Sequence, residues 1–213
     1  MLQSILNFEY KERYNSEDFI ISPSNKEAFD VLDSWPKSWG FEPYPTILAI
    51  VGGRGCGKTH LAHLWKEKSD ASFDIKSTGN LIIENINLFD ISEQSLFHIF
   101  NRYHTSRKFL LLTSSITINK IAFQLPDLAS RMKSIREIRI FEPDDYMIKM
   151  ILFRHFSTRA IKVEENVINY LTKILPRNFH AISEEINLLD QMSLIHKKDI
   201  TIPFIKKTLN HKL

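Results

Sequence analysis

The stretch "GGRGCGKTHL", Gly52 to Leu61, places glycines, a lysine and a hydroxyl in the order G-x-x-x-x-G-K-T. That spacing serves phosphate chemistry. Glycines let a backbone bend until its N–H groups converge on phosphate oxygens, and a helix opening at the loop adds the positive end of its dipole. Gly52, Gly53, Gly55, Cys56, Gly57 and His60 are the expected cradle. Lys58 is expected to bring a mobile positive charge to the terminal phosphates, and the Thr59 hydroxyl to ligate Mg2+. On average residue usage this pattern arises by chance in fewer than roughly one in a hundred chains of this length.

A phosphate loop works with an acid at the tip of a neighbouring strand. "LIIEN" offers Glu84 as the second metal-site residue, directly or through water. The next residue is Asn85, whose amide can hydrogen-bond water but cannot take its proton. Binding is therefore expected to be sound and turnover weak. "LLLTSS" carries Thr113, Ser114 and Ser115 at another strand end, with Thr113 the expected γ-phosphate sensor; hydroxyls at such ends also form turns.

These residues need elements to hold them. Residues 46–51 form a β-rich apolar run ending at the glycines, as a buried central strand does. A helix is predicted over 59–68. "NLIIEN", "KFLLLTSS" and "SIREIRIF" read as three further strands, the last alternating with period two. Between them, Leu96, Ile99, Phe100 and Tyr103 fall at i, i+3, i+4 and i+7 on one helix face within 92–106. Strands separated by helices predict an α/β fold with a parallel sheet. "SFDIK" (72–76) resists this scheme. Only residues 77–80 separate it from the next strand, and parallel neighbours need about a dozen, so it is either degenerate or does not pair in parallel there.

After Phe141 the pattern turns wholly helical. "EPDDYMIKMILFRHF" opens a helix with Pro143 expected in its first turn, and helices follow near 164–175, 178–194 and 202–210. The expected organisation is an extended tail (1–14), an α/β nucleotide-binding core (15–142) and a small helical lid (143–213).

Composition bounds the rest. With 213 residues, 28 Lys and Arg against 25 Asp and Glu, and a net charge of +3, the chain is mildly basic without a basic block. Direct nucleic-acid binding is not what such a spread predicts. The sole cysteine, Cys56, lies inside the loop, which points to a reducing cytoplasm and no disulfide framework. No export signal or membrane-length apolar run is present in the sequence, so a soluble protein without membrane contact is expected.

With those residues placed, "GGRGCGKTHLAHLW" resembles the phosphate loop of the DnaA-related AAA+ proteins. "DFIISPSNKEAF" resembles the segment with which that family covers adenine, which implies ADP or ATP as ligand with Ile20, Ile21 and Asn25 near the base. "LPDLASRM" resembles the box whose arginine points at a neighbour's nucleotide, which assigns Arg131 as an arginine finger acting in trans. "DITIPFIKKTL" resembles the close of proteins of the Hda type, which drive regulatory inactivation of DnaA. With the chain ending at Leu213, core, lid and tail are expected without a helix-turn-helix DNA-reading domain.

In the tail, Gln3, Leu6 and Phe8 of "QSILNF" match the Q-x-x-L-x-[FL] form of a sliding-clamp-binding peptide, in which apolar side chains dock in a groove while the Gln amide fixes register. In the lid, "LPRNFHAISEEI" puts His180 where the family carries a second sensor arginine; His offers fewer donors, making His180 a weaker nucleotide contact or an ordinary surface imidazole. The resemblance thus implies a clamp-tethered negative regulator of replication initiation that stimulates hydrolysis by DnaA, touching DNA only indirectly. A homo-oligomer is compatible with this plan. The rivals are a phosphate-loop small-molecule kinase, which needs clustered lid arginines where Arg154, Arg159 and Arg177 lie far apart in sequence, a nucleotide-stabilised scaffold, and a helicase-loader-like AAA+ protein.

Overall fold

The computed structural model describes residues 14, 16–35, 46–88, 91–106 and 108–209. The clamp-motif residues Gln3, Leu6 and Phe8 lie outside them.

Four parallel strands, β1 (Ile47–Val51), β2 (Leu81–Ile83), β3 (Leu110–Ser114) and β4 (Arg136–Arg139), form a sheet in the order β2-β3-β1-β4. β1, β2 and β3 are buried along their whole length, which is why they read as unbroken apolar runs rather than alternations. Period two still sorts their side chains. Leu48 and Ile50 of β1, Ile82 of β2 and Leu111 of β3 face one core with α1 (Lys26–Ser34) and α2 (Lys58–Ser69). Ile47, Ala49, Ile83, Leu110 and Leu112 face a second core with α3 (Glu93–Thr105) and α4 (Pro126–Lys133). The result is three layers, with α2 and α4 on opposite faces of the sheet. β4 is an edge strand, and only Ile138 of its residues is buried, as its alternating sequence requires.

The face of α3 forms as expected, with Leu96, Ile99, Phe100 and Tyr103 all buried and the Ser92 side chain accepting from Ser95 N at the N-cap. α1 falls where no element is expected; it is held by Ala28 and Leu32 in the core and by Trp35, whose ring stacks on Trp65 of α2 at 4.8 Å.

The difficult segment at 72–76 is degenerate. Ser72 alone makes a parallel bridge, to Leu81, and the following residues turn back through side-chain-to-backbone hydrogen bonds from Asp74 N to Ser72 Oγ, Lys76 N to Asp74 Oδ1 and Gly79 N to Ser77 Oγ. Local turn chemistry has taken the backbone groups a ladder would use.

α5 (Asp145–Thr158), α6 (Glu165–Ile174), α7 (Phe179–His196) and α8 (Ile202–Leu209) make the lid, with their own core around Ile148, Leu152, Leu171, Ile182, Leu189 and Ile205. Pro143 is not in the first turn of α5. Asp144 is the N-cap, its Oδ1 accepting from Met147 N at 2.8 Å, so the proline stands just before the cap. Two acidic residues follow that proline, and the capping carboxylate rather than the fixed proline φ sets where the helix starts.

Candidate functional site

β1 delivers the chain into the glycine loop at the carboxyl edge of the sheet, beside the ends of β3 and β4. Gly55 (φ +79°) and Gly57 (φ +93°) adopt left-handed conformations that a side chain would strain. Gly57 is the N-cap of α2 and no side chain caps that helix, so its first N–H groups are left for an anion. A Cβ on Gly52 would lie 2.7 Å from Cys56 Sγ, while Gly53 has open space around it. Cys56 is packing for the loop; burial pushes its thiol up, opposed by Lys58.

Lys58 is 7% exposed, and its Nζ donates to Gly52 O (2.7 Å) and Gly53 O (2.8 Å), with Cys56 Sγ at 3.7 Å. The ammonium therefore sits inside the loop it is expected to serve. Thr59 and His60 follow on the first turn of α2, half-buried. Tyr14 and Phe19 cover this turn: both rings meet His60 edge-on, and a Cβ on Gly57 would lie 3.1 Å from Phe19 Cε2, so the ring would have to give slightly.

At the end of β2, one oxygen of Glu84, Oε1, is buried without a hydrogen-bond partner. An orphaned carboxylate oxygen at the same carboxyl edge of the sheet as the glycine loop fits a cation or its bound water. No cluster of three or more His, Cys, Asp or Glu side chains assembles among the described residues, so Mg2+ here would take Thr59, Glu84 and phosphate oxygens, the ligand set Mg2+ favours. Asn85 turns the chain in the left-handed region (φ +49°), which an asparagine tolerates. Thr113 holds that corner. Its Oγ1 accepts from Asn85 N (2.9 Å), its carbonyl accepts from Ile86 N (2.9 Å), and its side chain is buried at 1% exposure. Thr113 thus sits beneath the Glu84–Asn85 turn. Ser114 and Ser115 both hydrogen-bond the Asn87 amide.

The segment expected over adenine is braced rather than open. Asn25 is buried, its Oδ1 accepting from Ser22 N (2.9 Å) and its Nδ2 donating to Ile20 O (2.8 Å), so the amide shapes the Ile20–Ser22 backbone. Ile20 packs partly into the core and Ile21 is exposed. The lid is tied to the same segment: Asp144 Oδ2 accepts from Ser24 N (3.2 Å) while Oδ1 caps α5. Burial alone would raise the Asp144 carboxyl, but bonds from Met147 N, the Ser22 hydroxyl and Ser24 N hold it below its ordinary value. α7 meets the loop directly, since a Cβ on Gly55 would lie 3.3 Å from Phe179 Cβ and 3.4 Å from His180 N. His180 is therefore beside the loop, its Nδ1 at 3.7 Å from Glu184 Oε2.

Arg131 stands apart, in the last turn of α4 on the other face of the sheet. It is half-buried, with its guanidinium carbon 5.3 Å from the centre of the Phe97 ring and 5.9 Å from that of Phe100, both on α3. It pairs with no carboxylate among the described residues. The lid arginines contrast sharply: Arg154 pairs with Asp18 (2.6 Å), Arg159 with Asp190 (2.9 Å) and Arg177 with Asp145 (2.5 Å). Sequence reasoning missed Phe19, Glu93, Phe97 and Asp144 as supports, because each acts across a gap that no local pattern spans.

Residues 145–209 match the family model of the Hda lid domain. Over those residues the chain is similar to the lid of Hda, and over most of its length it is similar to DnaA. An uncharacterised protein of Haemophilus influenzae is 29% identical to this chain, over 84% of it and 88% of the relative. The replication initiator DnaA of Wolinella succinogenes is 24% identical over 94% of the chain, but the match spans 53% of that protein, so the chain covers about half the length of its DnaA relatives. Domain III of Thermotoga maritima DnaA superposes with a TM-score of 0.71 at 21% identity, covering 93% of this chain and 96% of that one. AMPPCP-bound DnaA from Aquifex aeolicus gives 0.65 at 22%, covering 83% of this chain and 65% of that one. These likenesses show the fold, an α/β core with a helical lid as in DnaA. No described helix is long and apolar enough to cross a membrane.

Proposed function

We propose that this chain is of the Hda type, a nucleotide-binding negative regulator of replication initiation which, with the sliding clamp, stimulates ATP hydrolysis by DnaA. Arg131 acts in trans. The observation that carries this reading is the company that Arg131 keeps: a guanidinium at a helix end, laid on aromatic rings and paired with no described carboxylate, keeps its hydrogen-bonding face for another molecule. In the partner's site, water forms a bond to the γ-phosphorus as the bond to the bridging oxygen of ADP breaks, and Arg131 neutralises charge on the transferring group. Arginine fingers contribute about 10³–10⁵ in rate, enough for the partner's hydrolysis to depend on contact.

The chain's own loop fits ADP or ATP with Mg2+. The uncapped N-terminus of α2 and Lys58 would hold the phosphates, Thr59 and Glu84 the metal, with Ile20, Ile21 and the Asn25-braced backbone by the base and His180 beside the loop. A bound nucleotide would supply charge that fixes core and lid in one posture. Asn85 in place of an acid keeps intrinsic turnover low. The tail residues Gln3, Leu6 and Phe8 would tether the protein to the clamp on DNA and raise its effective concentration near DnaA, placing it at the nucleoid in the cytoplasm. A kinase reading is disfavoured because Arg154, Arg159 and Arg177 are each engaged by a carboxylate.

Phosphate release from DnaA·ATP, measured in mixtures lacking one component at a time, tests the proposal. Release should need this chain, the clamp on DNA and DnaA together. Release of equal rate without the chain, or transfer of phosphate to a nucleoside monophosphate, would refute it.

A further inference from the structure

The arginine reading raises the question of what fixes the height and direction of Arg131. We infer that Glu93 and Phe97, both on α3, are the positioning residues for Arg131; the inference rests on the finger proposal above. α4 has no side-chain cap of its own. Instead, both oxygens of Glu93, from the first turn of α3, reach across to it: Oε1 accepts from Gln124 N (2.8 Å) and Oε2 from Leu125 N (2.6 Å), the latter being the α4 N-cap residue. A bidentate carboxylate at a helix N-terminus satisfies orphan donors and complements the dipole, so Glu93 locks where α4 begins. One face of α4 is anchored by the buried Leu128 and Met132. Its last turn is closed by Ser134, whose N–H (3.0 Å) and hydroxyl (2.7 Å) both donate to Arg131 O.

The side chain is then held by the same neighbouring helix. Phe97 and Phe100 lie at i and i+3 on α3, and the Arg131 guanidinium stands over both rings. Phe100 is buried in the core, whereas Phe97 is half-buried and forms the outer support. A cation over an aromatic face keeps its N–H edges free, where a carboxylate partner would consume them. One helix therefore sets both ends of the device, the start of α4 through Glu93 and the guanidinium through Phe97.

Single-turnover phosphate release from DnaA·ATP on clamp-loaded DNA, titrated with each variant, provides the test. Phe97→Ala should lower the rate at saturation about tenfold, as expected for loss of orientation in a catalytic group, with the half-saturating concentration unchanged and Phe97→Tyr restoring the rate. Glu93→Ala should lower the saturating rate similarly and lose protection from hydrogen exchange at Gln124 and Leu125, while Glu93→Gln retains part of both. A saturating rate unchanged in Phe97→Ala, while Arg131→Ala abolishes stimulation, would overturn the positioning role and leave the finger intact. Should wild-type protein fail to stimulate at all, the finger proposal falls, and the ring-current shift of the Arg131 Nε–Hε resonance decides the positioning claim: loss of that shift in Phe97→Ala supports it, and an unchanged resonance overturns it.

Discussion

Lys58 and Arg131 carry the same charge into opposite surroundings. Lys58 points inward, donating to two carbonyls of its own loop, and a phosphate reaching the loop must outcompete those partial charges, which a full anionic charge does. Lys58→Ala removes both the loop's internal ties and its mobile cation; ADP affinity measured by calorimetry should fall at least about tenfold, matching the loss of one charge-assisted hydrogen bond. The glycine loop was legible in sequence because its chemistry is local, with five residues between Gly52 and Lys58. Thr113 and Asn25 were legible as polar residues near the site, but the backbone bonds they make were not. Each is buried and committed to a backbone turn whose course only the fold determines.

Among the elements, core and lid are joined through Asp144, which caps α5 and accepts from Ser24 N of the segment before α1. Asp144→Ala should destabilise the protein by about 1–2 kcal/mol in chemical denaturation, the range for an N-cap loss. Because its carboxyl is held below its ordinary value, its contribution is present above that value and is lost as pH falls through the folded one. Within the lid, His155 gives a second pH signature. Burial, with Arg159 at its ring and Asp190 opposing, lowers it to about 4. The unfolded chain takes up that proton near 6.5 and the folded chain only near 4, so the lid should lose up to about 3 kcal/mol between those values as pH falls. His155→Gln should flatten the dependence of melting temperature on pH across that window. The lid helices and α3 were readable because their apolar faces repeat with the helical period, and β1 to β3 because buried parallel strands are continuous apolar runs. The start of α5 was misplaced by one competing signal, a proline next to a capping acid; at 72–76 the short spacing to β2 left two alternatives, and side-chain turns decide for the degenerate one.

Across the whole molecule, the glycine loop, the lid core and Arg131 occupy different regions. The loop and α7 meet on one side of the sheet's carboxyl edge, while Arg131 sits on α4, in the layer facing away from α2. On the proposed reading, a ligand at the loop would act on the posture of the molecule rather than on the guanidinium directly. ADP at about 100 times its dissociation constant should stabilise the folded protein by about 2.7 kcal/mol, read as a rise in melting temperature that Lys58→Ala diminishes. The comparison that bears most directly on the central claim is the rate of phosphate release from DnaA·ATP, on clamp-loaded DNA, with saturating wild-type protein or Arg131→Ala. The variant should bind ADP and the clamp as the wild type does and yet reduce stimulation to the level of DnaA alone; stimulation retained in full without that guanidinium would contradict the account.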